Sequence, residues 1–146
     1  DRGLSCGGGG GTTGTYPGSV MNTVSFSSDT SSTTTSLSAG TYGGTAYSNG
    51  QVAGYVLGGH GLGTAIDKWN YSSFSRSTLS ATGVAGYSAG WANTGVAGYQ
   101  GAGNATGSQS KLDFSSETTS TPSGTMGDPW TGGNPMMAFS TCEASP

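Results

Sequence analysis

The chain has 146 residues, the length of one ordinary domain. Only 32% are hydrophobic and 8% charged, where a typical domain is about a quarter charged. Four basic residues (Arg2, Lys68, Arg76 and Lys111) and a net charge of -3 exclude the positive stripe of a nucleic-acid binder. No apolar run approaches the ~20 residues that a membrane-spanning helix needs, so neither nucleic acid nor membrane insertion is expected.

The 29 Gly leave two possibilities, disorder or many tight turns. Low net charge together with 3 Trp, 7 Tyr and 4 Phe argues for order. Gly interrupts nearly every ten-residue stretch, and no window carries apolar residues at helical spacing, so helices are not expected. Aromatics set among Gly, Ser and Thr fit short strands, and the fold class expected is all-β.

In chain order, Asp1-Arg2-Gly3 opens without Met or a signal-peptide core, which reads as a processed form or a piece of a longer chain. A short strand, Leu4-Ser5-Cys6, runs into Gly7 to Gly11. That run lacks the Lys-Ser/Thr ending and following helix of a phosphate loop, and reads as a flexible turn. Val24 and Phe26 then alternate as on a half-buried strand. A Ser27-Ser28 turn leads to a Ser/Thr-rich third strand, and a fourth strand ends at Tyr47 before Asn49-Gly50.

The same grammar then recurs. Val52-Ala53-Gly54-Tyr55 returns as Val96-Ala97-Gly98-Tyr99, 44 residues on. Phe26-Ser27-Ser28-Asp29 returns as Tyr71-Ser72-Ser73-Phe74 and Phe114-Ser115-Ser116-Glu117, and Tyr47 returns as Trp91 and Trp130. Three features in one register define units at about 3–51, 52–95 and 96–135 within a single repeat domain, followed by a closing strand over 136–142. Four short strands per unit is the arithmetic of a propeller blade.

The unit GYVLGG…IDKWNYSS…STLSA…AGYSAGWANTG resembles the kelch repeat, with an apolar strand ending in a Gly pair and then spaced aromatics. More closely it is similar to the degenerate kelch-like arrays of bacteriophage tail and virion proteins. The resemblance covers nearly the whole chain and implies blades of a β-propeller type. Its departures are Gly101-Ala102-Gly103 in place of a Gly pair and the five-Gly run of the first unit. The resemblance implies a structural or adhesive subunit, extracellular or on a virion. A self-assembling pilus-like fibre and a lectin-like carbohydrate-binding module are the alternatives.

Three blades are fewer than closed propellers use. The chain is therefore a fragment of a longer array, or is completed by oligomerisation, or packs its three sheets as a prism. Met136 to Thr141 fall where a unit's first strand belongs, and the expectation is that they add to a sheet near Leu4 to Cys6. Alternation puts Met137, Phe139 and Thr141 on one face, with Phe139 as the anchor. Cys6 and Cys142 stand at matching repeat positions and are a candidate disulfide, within or between chains, the alternative being two free thiols.

Candidate chemistry is sparse. His60, the only histidine, follows Gly58-Gly59 in what reads as a loop, without an orienting carboxylate. Asp29 and Glu117 hold matching turn positions, which repetition explains, and no loop carries the clustered acids of a calcium site. No catalytic residue, metal ligand or cofactor is assigned. Trp69 reads as core, since it takes the place of Val24 and Leu112, whereas Trp91 and Trp130 end strands beside turns and are candidate contact aromatics. Asn70 and Asn104 head N-glycosylation sequons. The partners expected are further copies, other virion or fibre proteins, or cell-surface glycans.

Overall fold

The structure, a computed structural model, describes residues 2–6, 18–102 and 108–123. Its strands all pair antiparallel, and the described residues contain no helix. The first sheet holds β1 (Arg2–Cys6), β2 (Met21–Ser25) and β3 (Thr30–Thr34). The second holds β4 (Tyr42–Asn49), β5 (Ala53–His60), β6 (Ile66–Asn70) and β7 (Arg76–Thr78). The third holds β8 (Ser88–Asn93), β9 (Ala97–Ala102), β10 (Gln109–Asp113) and β11 (Thr118–Ser120). In each sheet the strands lie side by side in chain order, so every connection within a sheet is a hairpin.

The repeated Ser-Ser motif is one hairpin turn used three times. Ser25 pairs with Thr30, Asp113 with Thr118, and Asn70 donates its N–H to the Ser75 carbonyl at 3.1 Å. Four residues lie between the partners in each case. The fourth of them is left-handed: Asp29 at φ 51°, Phe74 at 52° and Glu117 at 53°. Phe74 and Glu117 donate their N–H groups to Asn70 and Asp113 carbonyls at 2.8 and 2.9 Å, which closes the loop. The serines then bond inward: Ser72 N–H and Oγ–H both donate to Asn70 Oδ1, at 2.9 and 2.7 Å. Such side-chain bonds to the backbone are why Asn, Asp and Ser favour turns. A left-handed L-residue costs about 1–2 kcal/mol, and Gly's extra freedom when unfolded offsets part of that. Asp29 is exposed, so Asp29→Gly is expected to raise stability by about 0.5–1 kcal/mol, as urea titration would register.

Hydrogen bonding places the sheet boundaries one strand away from the boundaries of the sequence units. β4, which contains Tyr47, pairs with β5 across residue 51, and β8, which contains Trp91, pairs with β9 across residue 95. The cause is the Asn-containing turns. Val52 N–H donates to the Asn49 carbonyl and Val96 N–H to Asn93, each at 3.0 Å, so each turn folds its two strands into a hairpin. Among the described residues the first sheet consequently has three strands and no counterpart of β4 and β8.

Packing proceeds from sheet to sheet. Met21 of the first sheet and Val56 and Trp69 of the second form one core cluster with Leu37 and Leu62. The opposite face of the second sheet (Tyr47, Ala53, Tyr55, Leu57 and Ile66) packs on Leu112 and Phe114 of the third. β5 is buried at every position from Ala53 to Gly59, since it has a sheet on either side. Burying a side chain such as Leu57 contributes about 1.5–3 kcal/mol.

Glycine sets how close the sheets come. A Cβ on Gly98 would stand 2.1 Å from the Tyr47 ring, so the ring lies directly on bare backbone. Three expectations are corrected here. Gly58, Gly59 and His60 belong to β5 and not to a loop, because Gly58 and Gly59, at φ 71° and 78°, let the strand continue through a kink. His60 also has a partner, its ring stacking on Tyr42 at 5.2 Å. Phe26 lies beyond the end of β2 and is 61% exposed, whereas its counterpart Phe114 is 7% exposed. The difference arises because Phe114 has the second sheet to pack against and no described sheet covers Phe26.

Candidate functional site

The outer face of the third sheet is the candidate contact surface. Trp91 on β8 and Tyr99 on β9 are cross-strand partners, and Tyr99 is in turn the partner of Lys111 on β10. The Trp91 and Tyr99 rings stack at 6.0 Å with planes 5° apart, and both are half-buried. Trp91 is therefore braced by a neighbour, an arrangement that holds an aromatic plane at low entropic cost. The row presents two flat apolar rings and one ammonium side by side.

The same pair exists once more, inside the molecule. Tyr47 and Tyr55 are the counterparts of Trp91 and Tyr99 and are also cross-strand partners, with centroids 5.8 Å apart. Phe114 stacks on Tyr55 at 5.2 Å and lies 6.0 Å from Tyr47. Burial, together with the nearby Glu117 carboxylate, pushes the Tyr55 hydroxyl up to about 12. Burial also raises Tyr47 well above the ordinary phenol value. These rings serve the core, and they show what an aromatic pair at this position does when a sheet covers it.

Three polar networks join elements that no local sequence pattern connects. Lys68 of the second sheet pairs with Glu117 in a turn of the third, and Tyr55 donates its hydroxyl to the same carboxylate at 3.4 Å. Asp67 is fully buried on β6. Its Oδ2 accepts from Ser38 N–H at 2.6 Å, and its Oδ1 accepts from Thr78 Oγ at 2.6 Å and Arg76 Nη1 at 3.2 Å. Gln100 is likewise buried, bonded to both the N–H and the carbonyl of Val84 and to Ser88 Oγ. Each is a polar residue that satisfies itself where an apolar one was the default. The signal available was position: Gln100 stands where Val56 stands in the preceding unit.

The exposed end of the turns is lined with hydroxyls. Ser28 and Thr30, Ser73 and Ser75, and Ser116 and Thr118 are bonded pairs at 2.7–2.8 Å. Asp113 accepts from Ser115 and Ser116, and these bonds, led by the Ser115 hydroxyl, hold its carboxyl down to about 2. A lowered folded-state value means the turn's contribution is complete above about pH 4, the ordinary Asp range, and is lost as pH falls toward 2. Asn70 ends β6 with Oδ1 engaged by Ser72, so its sequon is folded into the turn itself.

A cavity of about 240 Å³ lies between the first and second sheets, lined by Leu4, Met21, Ala46, Gly54, Trp69 and Tyr71 among others. The Trp69 indole N–H is buried without a hydrogen-bond partner among the described residues.

Cys6 stands on β1. Its candidate partner Cys142 lies outside the described residues, as do Trp130, the strand expected at Met137, Phe139 and Thr141, and Asn104. Among the described residues no three His, Cys, Asp or Glu side chains converge on a common point. Compared with protein-family models and with curated proteins, the sequence matches none.

Proposed function

We propose that the chain is a structural and adhesive subunit of an extracellular assembly, a phage virion or tail appendage built from kelch-like blades. One observation carries this reading. The aromatic pair that receives a sheet at Tyr47–Tyr55 is presented again as Trp91–Tyr99 on the outer face of the third sheet. A module whose third sheet repeats its internal docking surface is suited to further docking, whether of protein or of ligand. Low charge favours such contacts, since few ions need to be desolvated. The hydroxyl-lined turns supply a polar, uncharged end. The reading assigns no catalytic residue, metal or cofactor, and its partners are other copies, virion or fibre proteins, or cell-surface glycans.

The Trp91–Tyr99–Lys111 row also favours a second reading, a lectin-like module in which sugar rings stack on Trp91. A glycan array separates the two. Specific binding that falls about tenfold in Trp91→Ala, equivalent to about 1.4 kcal/mol, supports carbohydrate recognition. Electron microscopy of the purified chain showing rings or fibres, with no glycan bound, supports the structural role. Turnover of a substrate on a hydrolase panel would overturn both.

A further inference from the structure

The contact between the second and third sheets pairs a ring with a ring and a cation with an anion, and its two halves recur, apart, on the outer faces of the molecule. Inside the contact, Tyr55 stacks on Phe114 at 5.2 Å, Lys68 pairs with Glu117, and the Tyr55 hydroxyl donates to the same carboxylate. One unit on, the counterparts of Tyr55 and Lys68 are Tyr99 and Lys111, cross-strand partners in the third sheet. They face outward, because Leu112 and Phe114, on either side of them in the alternation, pack inward on the second sheet.

The counterparts of Phe114 and Glu117 in the first unit are Phe26 and Asp29. Leu4 and Met21 pack toward the second sheet, so alternation turns Val24 and its cross-strand partner Gly3 to the opposite face. The Phe26 ring lies with its tip over Gly3 and is 61% exposed. Asp29 is exposed in the turn that follows, with the left-handed backbone of Glu117, φ 51° against 53°. One outer face thus carries a ring and a carboxylate, and the other carries a ring and an ammonium. Among the described residues neither Asp29 nor Lys111 has an ionic partner. A second copy of the chain supplies the missing half to each face, in the pairing that the interior already uses.

We propose that the outer face of the third sheet of one copy docks on the outer face of the first sheet of a second copy, setting Tyr99 against Phe26 and Lys111 against Asp29. This rests on the structural reading above and names its partner and its surface. The Phe26 ring already covers Gly3, so Trp91, beside Tyr99, meets that ring and not the bare backbone that Tyr47 meets at Gly98. Asp29 is one methylene shorter than Glu117, and the flexible stem of Lys111 makes up the reach. The contact joins unlike faces, so it does not close on itself and copies add head to tail. The three five-residue strands of the first sheet make a face of about 14 Å by about 17 Å. That is far below the ~800 Å² each partner gives to a stable interface, so two free copies bind weakly and the contact gains strength by repetition.

Sedimentation equilibrium of the full chain, from about 10 μM to about 1 mM, tests the proposal. The expected result is a mean mass that rises past that of a dimer over this range. Lys111→Glu and Asp29→Lys each set like charges together, and each is expected to need at least about tenfold more protein for the same mass. Mixing the two variants should restore association, because each altered face then meets an opposite charge on the other variant. The mixture is also the folding control, since a misfolded variant cannot restore anything. A parent that stays monomeric throughout overturns the proposal, as does a mass that stops at a dimer. So does a parent whose mass neither reversal changes, or a pair of variants that stay apart when mixed. None of these outcomes touches the adhesive reading, which fails separately if the chain turns over a substrate.

Discussion

Trp69→Ala is expected to lower the stability of the fold by about 3–5 kcal/mol, the range for truncating a large buried aromatic. Trp69 is fully buried on β6 and sits in the cluster that binds the first sheet to the second, with Met21, Leu37, Val56 and Leu62 around it. Those neighbours come from two sheets and from the Leu37 and Leu62 connections, so they cannot all collapse into the space that an Ala would leave. A fold of ordinary stability holds about 5–15 kcal/mol, and the substitution removes a large share of it. Thermal unfolding followed by circular dichroism should show a melting temperature lower by about 10 °C or more. The unpartnered indole N–H works the other way, since its burial costs about 1–3 kcal/mol. Trp69→Phe, which keeps much of the ring and removes that donor, should therefore lose far less than Trp69→Ala. Equal losses from the two variants would mean that ring packing is not what holds the first junction.

Asp67→Ala should be comparably damaging, at about 3–5 kcal/mol, for an electrostatic reason. The carboxylate is fully buried and is the common acceptor for Ser38 N–H, Thr78 Oγ and Arg76 Nη1. Removing it leaves the Arg76 charge, whose side chain is only 24% exposed, without its counter-ion. It also removes the acceptor of Ser38 N–H, one of the ties between the 35–41 connection and β6. Asp67→Asn, which keeps an acceptor and loses the charge, should fall between the parent and the Ala variant. Chemical denaturation of the three proteins gives the ranking, and an Ala variant within 0.5 kcal/mol of the parent, the scatter of ordinary surface changes, would show that the network is idle.

The strand series was legible because its causes are local. Gly and aromatic spacing fixed where β5 and β9 fall, and Ser/Thr content marked β3, β7 and β11, which lie on sheet edges where small polar side chains face water. The phase of the sheets was not legible from units cut at Val52 and Val96. Whether a strand pairs with its predecessor or its successor depends on the turn between them, and Asn49-Gly50 was read as a boundary when it folds a hairpin. The kinked strand through Gly58 and Gly59 was hidden for a related reason, since Gly pairs announce loops far more often than they continue β-structure. Of the candidate surface, the sequence found Trp91 but not Tyr99 as its brace, because cross-strand partners become visible only when the register is known. Asp67, to which the sequence analysis assigned no role, is a buried hub, and its partners at 38, 76 and 78 come from segments that no local pattern links.

The layered arrangement of the sheets has a consequence for how the molecule comes apart. Among the described residues no core cluster spans all three sheets: one joins the first to the second, the other joins the second to the third. A stack bound only through neighbours behaves like a short one-dimensional array, in which an end layer can detach without undoing the rest. Detachment from either end leaves β5 within a layer that still has one covered face. Its amides are accordingly the last to be reached by solvent, and the order in which deuterium enters the chain should run inward from the outer sheets to Ala53–Gly59.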